Sequence, residues 1–401
     1  MASWIERSNE NSAILVDVLV KYSPEAASRF GVEGHDTEVV ALPLDLHTRM
    51  IGDFEKAASQ FREKLTTETD LNVRQDLQIL IESTQLNIDS IRLGDKYNLP
   101  YYDIPQTLFL GLRALLDDRV AAERRSAALV RLRKYAGLEP GTTPLTAQAV
   151  AYTRAHFGDA KLLGPFHGNL TRDMSNAPRY VAGIAALFKQ YHLDGHEAAL
   201  EELKKQVEAY QAFLREEVVP RQRMDFRLPE ELYRHSLRKS GNDMPLEELI
   251  SRAKTSFREL QNEMSALAPQ VAKAKGFPSG DFRHVIRELK KQQLVGDAIL
   301  SHYQARMKQI EEIIAANGIV SLPRRPTQFR LATEAETAAV PAPHLDPPRL
   351  IGNTGEQAVF VLPLRIPAEG GTGEIGLDDF TFEAASWTLS SHEARPGHDL
   401  Q

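Results

Sequence analysis

Residues 194–220 read DGHEAALEELKKQVEAYQAFLREEVVP. Leu200, Leu203, Val207, Tyr210, Leu214 and Val218 recur at steps of three and four, the period of a helix with one apolar face. Asp194 and Glu197 are spaced like a capping box at its start, and Pro220, which has no N–H to donate, marks its stop. Such a face must be buried, so this stretch implies a body of packed helices. The pattern recurs over Asp53 to Ile91, Leu108 to Tyr135 and Ala147 to His156. A helix from Pro245 carries Leu246, Leu249, Ile250, Ala253, Phe257, Leu260, Met264 and Leu267, and another spans about Asp281 to Ala316, ending at Asn317-Gly318. The fold class read from this periodicity is mainly α.

Composition changes at Ser321. Leu-Pro-Arg324-Arg325-Pro and then Pro341, Pro343, Pro347 and Pro348 read as an extended, proline-rich linker. Beyond it Ala358 to Ile366 is apolar and β-branched, Gly370 to Gly376 is a turn region, and Phe380 to Ala385 alternates, the pattern of a short β hairpin. Ser390 or Ser391 is placed to cap a final helix. The expected organisation is a helical body over residues 1–320, a linker over 321–357, and over 358–401 a hairpin leading into that helix.

The chain has 401 residues, a formal charge of −7, 42% hydrophobic and 26% charged residues. That balance excludes disorder and collagen-like structure and gives no global attraction to nucleic acid or to an anionic membrane surface. There is no cysteine, which removes disulfides, thiol nucleophiles and thiolate metal sites together, so a metal has to sit on His, Asp and Glu. The apolar run Ala13 to Val20 is short and interrupted by Asp17, neither a signal peptide nor a span. The chain reads as cytoplasmic, with no nucleic-acid or membrane partner.

His392-Glu393-Ala394-Arg395-Pro396-Gly397-His398 sets two imidazoles around a carboxylate. A zinc hydrolase needs neutral nitrogen ligands, an open position for water, and a carboxylate that takes the water's proton, and this string offers two ligands and the base. Positions six apart lie roughly 120° off one helical face, so the two histidines converge only if the helix is perturbed between them. Pro396 does this by clashing with the carbonyl four residues earlier, and Gly397 permits an unusual backbone. On an unbroken helix Asp399, seven residues on, would align better with His392.

These residues resemble the bacterial domain of unknown function 885, whose members carry HEAxPGH followed by His or Glu and then Leu-Gln. Ser23-Pro24-Glu-Ala-Ala-Ser-Arg-Phe-Gly31, Leu129-Val-Arg-Leu-Arg-Lys-Tyr135 and Val219-Pro220-Arg-Gln-Arg-Met-Asp-Phe226-Arg-Leu-Pro229 also look like its members. The resemblance implies a zincin-like, gluzincin-type metallopeptidase with zinc on His392 and His398 and Glu393 as general base. Asp399 stands where relatives often have His or Glu and receives no ligand role. In gluzincin-like enzymes the third ligand is a Glu on a later helix, whereas this chain stops at Gln401, three residues after His398. It therefore reads as the front portion of a longer enzyme, expected to hold substoichiometric zinc. The substrate expected from the resemblance is a short peptide. The competing functions are a zinc hydrolase of a non-peptide amide or ester, and a non-catalytic helical scaffold. The resemblance also implies that peptide docks as an added strand along Asp378 to Ala385.

Other features have plainer readings. His192-Leu-Asp-Gly-His196 spans a turn rather than a ligand face, and Gly371-Thr-Gly373-Glu-Ile-Gly376 reads as a hairpin loop rather than a dinucleotide fingerprint. Arg124, Arg125, Arg131, Arg133 and Lys134 read as a solvated helix face, and Arg324 and Arg325 as linker charges. His47, His167 and His235 have no local partner pattern, and Asn169-Leu-Thr171 is a sequon without an export signal.

Overall fold

In the computed structural model Leu200, Leu203, Val207 and Tyr210 are all buried, and the helix they define runs Glu197–Phe213. Its start differs from the capping-box reading: His196 occupies the N-cap without a side-chain bond, and Asp194 lies in the preceding turn. Past Phe213 the chain widens into a π-turn, Leu214–Val218, and closes with a 3₁₀ turn, Val219–Arg221. Pro220 cannot continue the ladder of N–H donors, so regular helix ends there. The structure describes residues 3–294, 298–363, 366–367, 374–375 and 381–401.

The chain divides into two compact units, Met1–Asn242 with Arg349–Gly352, and Asp243–Pro348 with Asn353–Gln401. The division falls at Asn242, inside the stretch read as one helical body. The first unit holds α1 (Trp4–Tyr22), α2 (Pro24–Phe30), α3 (Leu46–Thr67), α4 (Leu71–Tyr97), α5 (Ile104–Arg113), α6 (Ala122–Arg125), α7 (Ala127–Tyr135), α8 (Leu145–Ala155), α9 (His167–Gln190), α10 (Glu197–Phe213) and α11 (Glu230–Lys239). The periodicity over Asp53 to Ile91 belongs to two helices, because Asp70 accepts from the Asn72 N–H and starts α4 afresh. Leu15, Phe54, Ala57, Phe61, Val73, Leu77 and Ile88 form the core between α1, α3 and α4.

The basic cluster on α6 and α7 is not a solvated face. Arg131 is wholly buried and donates to the carbonyls of Pro24, His35, Glu38 and Gly111 and to Ser28 Oγ. Arg124 pairs with Asp36 at 2.7 Å and Arg133 with Glu139 at 2.5 Å, while Arg125 lies over the ring of Tyr191. Charge spacing does not distinguish a guanidinium in water from one that ties loops together.

The second unit begins with α12 (Leu246–Lys275), α13 (Phe282–Lys290) and α14 (Ala298–Asn317). The single helix expected over Asp281 to Ala316 is two: after α13 the Leu294 N–H donates to the Thr381 carbonyl at 2.6 Å instead of continuing the helix. Ile250, Phe257, Leu260 and Leu267 on α12 are exposed, and burial is confined to Ala268 and Ala272, which pack with Val285 of α13. On α14, Ile299, Tyr303, Met307, Ile310 and Ile314 form one buried stripe. Among the described residues no helix is long and apolar enough to cross a membrane.

The stretch read as a linker carries structure. β1 (Gln328–Leu331), α15 (Glu334–Ala339) and β2 (His344–Asp346) precede β3 (Val359–Leu362). β3 pairs in parallel with β1 and antiparallel with β2, giving the order β1-β3-β2. Central and buried along its length, β3 is a continuous apolar run, Val-Phe-Val-Leu. Its partners thus come from within the proline-rich stretch and not from Phe380 to Ala385. β4 (Ile366–Pro367) and β5 (Glu374–Ile375) make a two-residue antiparallel pair. Of the expected second hairpin strand, Phe382 makes an isolated bridge to Gln293 and Ala385 begins α16 (Ala385–Leu389). Gly371, Gly373 and Gly376 lie outside the described residues.

Candidate metal centre

The segment that carries the motif is docked by small residues. Ser386 and Ser390, four apart, are fully buried, and so is Ala394, which joins the core of α14 and β3. Side chains this short bring the backbone close to α14, whose Arg306 Nε donates to Ser386 Oγ at 3.0 Å. Ser386 Oγ gives its own proton to the Glu383 carbonyl at 2.6 Å, so His302 Nε2, also 3.0 Å away, must be the donor to it. Burial, reinforced by Arg306, lowers the pKa of His302 and favours this neutral ring. Arg306 also lies over Trp387, 3.8 Å from the ring centre.

α16 ends at Leu389 with Ser390 as its C-cap, and neither Ser390 nor Ser391 is the N-cap of a new helix. Both lie inside a π-turn, Ser390–Ala394, after which residues 395–397 form a turn and His398–Leu400 a 3₁₀ turn. The helix is therefore broken at Pro396-Gly397. Pro396 has no N–H for the carbonyl of His392, and a Cβ at Gly397 would lie 1.8 Å from that oxygen. Only glycine lets the chain fold back this closely. The result brings the rings of His392 and His398 to a centroid distance of 4.8 Å, nearly perpendicular at 88°.

Donor atoms of His392, Glu393 and His398 all lie within 4.8 Å of one another. Both histidines are exposed, His392 with 66% of its side chain, whereas Glu393 is mostly covered at 14%. Glu393 Oε2 accepts the N–H of Leu345 in β2 at 3.1 Å, and Oε1 lies 3.9 Å from His392 Nε2. His398 Nδ1 donates to Gln401 Oε1 at 2.6 Å, which leaves Nε2 as the nitrogen with a lone pair. Two imidazoles and a carboxylate fit a borderline-soft divalent ion such as zinc. Among the described residues no further His, Asp or Glu joins the group.

Asp399 does not face His392. Its carboxylate is fully buried and is shared by Arg325 and Arg395, each at 2.7 Å. Arg325 is thus no plain linker charge. The sequence reading missed this contact because its partners are 74 residues apart. Leu345 and Gln401 were also missed; the one acts through its backbone N–H, and the other follows the motif by three residues.

Four of the other histidines that the sequence singled out have ordinary partners. His196 stacks on Phe188, His47 meets Asp95 at 2.5 Å, His167 meets Gln222 and His235 meets Ser90. The strand expected to dock peptide, Asp378 to Ala385, is over its described part a bend, a single bridge residue at Phe382, a turn and the start of α16, and the strand that touches the motif is β2. No curated protein and no solved structure matches the chain. Residues 24–401 match the family described as bacterial protein of unknown function (DUF885), and the chain belongs to that family.

Proposed function

We propose that this chain carries the zinc centre of a metallohydrolase, and that the reaction is hydrolysis of an amide bond in short peptides. The observation that supports this reading most is the convergence of His392, Glu393 and His398 on one side of a helix broken to allow it. His392 and His398 would hold the ion. Zinc bound there supplies Lewis-acid polarisation of a carbonyl oxygen and brings the pKa of a bound water to ~7.

Glu393 is the proton carrier. With Oε2 held by Leu345, the carboxylate is fixed in orientation and presents Oε1 on the side of His392. From there it accepts the proton of the attacking water and returns it to the leaving amine. The Gln401 contact keeps the His398 proton on Nδ1, so Nε2 remains a ligand without a tautomer change.

Titration with zinc and with cobalt tests the reading. A site resting on two imidazoles sheds metal in purification, so uptake is measured rather than content. Saturable binding that disappears in His392→Ala and in His398→Ala is expected, with chelator-sensitive hydrolysis of a peptide panel. Metal binding unchanged in both alanine variants would refute it.

A further inference from the structure

Beyond Ala394, side chains of the motif no longer enter the apolar core of α14 and β3. A group of four charges takes over. Asp399 Oδ1 accepts from Arg325 Nη1 at 2.7 Å and Oδ2 from Arg395 Nε at 2.7 Å. Arg325 Nη2 also donates to the main-chain carbonyl of Asp399 at 2.9 Å, and Arg395 Nη2 to the carbonyl of Arg325 at 2.7 Å. Arg395 Nη1 pairs with Glu311 on α14. Two cations meet two anions, and the side chains of Arg395 and Asp399 are 2% and 0% exposed.

We propose that Arg325, Arg395, Asp399 and Glu311 are positioning residues for the metal centre: they clamp the chain on both sides of His398 and so set its distance from His392. The inference rests on the metal reading above. Two physical arguments carry it. A buried ion-pair cluster is a poor source of stability, because desolvation offsets the attraction, whereas its directed bonds fix geometry. His398 itself is exposed, and among the described residues its ring's hydrogen bond goes to Gln401, its neighbour three positions on, so the placement of its backbone falls to its clamped neighbours Arg395 and Asp399. Arg325 grips the side chain and the main chain of Asp399 at once, which constrains the 3₁₀ turn that presents the imidazole.

The experiment is zinc competition titration and cobalt absorption spectroscopy on the whole chain and on Arg325→Ala, Arg325→Lys and Glu311→Gln, with circular dichroism to verify folding. Arg325 is chosen because its side chain is partly exposed, at 32%, so truncation leaves no large cavity. Zinc affinity is expected to fall by about 10- to 100-fold in Arg325→Ala, with the cobalt band shifted, because the ligand geometry relaxes. Arg325→Lys retains one of the two contacts and should recover part of both signals, which a general loss of stability would not reproduce. A folded Arg325→Ala with wild-type affinity and an unchanged cobalt band would overturn the proposal. Should Arg325→Ala fail to fold, Arg325→Lys and Glu311→Gln carry the same expectation of weaker binding, and wild-type binding in both would overturn it. A wild-type chain that takes up no metal would overturn the metal centre and this proposal together, and that failure is visible before any variant is made.

Discussion

Gly397 approaches the carbonyl oxygen of His392 so closely that a Cβ there would sit 1.8 Å from it. This contact makes a helix break into the corner at which the rings of His392 and His398 meet. Gly397→Ala has to push that carbonyl away, and with it the residue that carries the first imidazole. The expected cost is at least ~2 kcal/mol of stability, together with loss of metal binding. Thermal unfolding and zinc titration read the two effects separately, and an alanine variant as stable and as metal-competent as wild type would mean that the turn is looser than described.

Glu393→Gln keeps the shape of the side chain and removes the proton acceptor. Zinc binding should stay within a few-fold of wild type while turnover drops by about 10²- to 10⁴-fold. Retained turnover with this substitution would assign Glu393 to holding the metal or the fold instead.

Gln401→Ala frees the His398 ring to rotate and to exchange tautomers. Loss of such an outer contact weakens metal binding by about 10-fold or more. The apo protein should melt as before, since Gln401 is exposed. A fall in melting temperature without a change in affinity would contradict the assignment.

Asp103 caps α5 by accepting the Gln106 N–H, yet burial, and after it the charge of Asp173, pushes its pKa up to about 7 from 3.8. The folded state holds this proton more tightly than the unfolded chain does. Its contribution is therefore fully present below about pH 4, declines as pH rises toward 7, and is level above that. Asp103→Asn keeps the cap and removes the titration. The variant should gain stability over wild type at neutral pH, on the order of 1.4 kcal/mol per pKa unit, and the gain should vanish near pH 4. Denaturant unfolding at a series of pH values measures it, and a difference that does not vary with pH would exclude Asp103 as the titrating group.

Arg131→Met should cost about 4 kcal/mol or more, because main-chain carbonyls in the α2–α3 connection and on α5 lose their buried donor. The substitution of a truly solvated arginine would stay within ~0.5 kcal/mol. Chemical denaturation distinguishes the two outcomes.

Helices, their apolar faces and the His-Glu-His string were legible from residue order alone, because each is written in near neighbours. Steps of three and four mark α10, and two imidazoles flank Glu393 within seven residues. Pro396-Gly397 even marked where the helix breaks, since the clash of a proline ring with the carbonyl four residues back is local.

What the tertiary structure alone decided depends on residues far apart in the chain. The partners of β3 lie about 15 and 30 residues before it, inside a stretch whose prolines read as linker. The α12 stripe from Ile250 to Leu267 has the period of a buried face and is exposed, since periodicity states that a helix is amphipathic and not that another element lies against it. Arg325 and Asp399 look unremarkable at 74 residues' separation, and the burial that makes their bond directional arises only when the fold removes water from the Asp399 carboxylate.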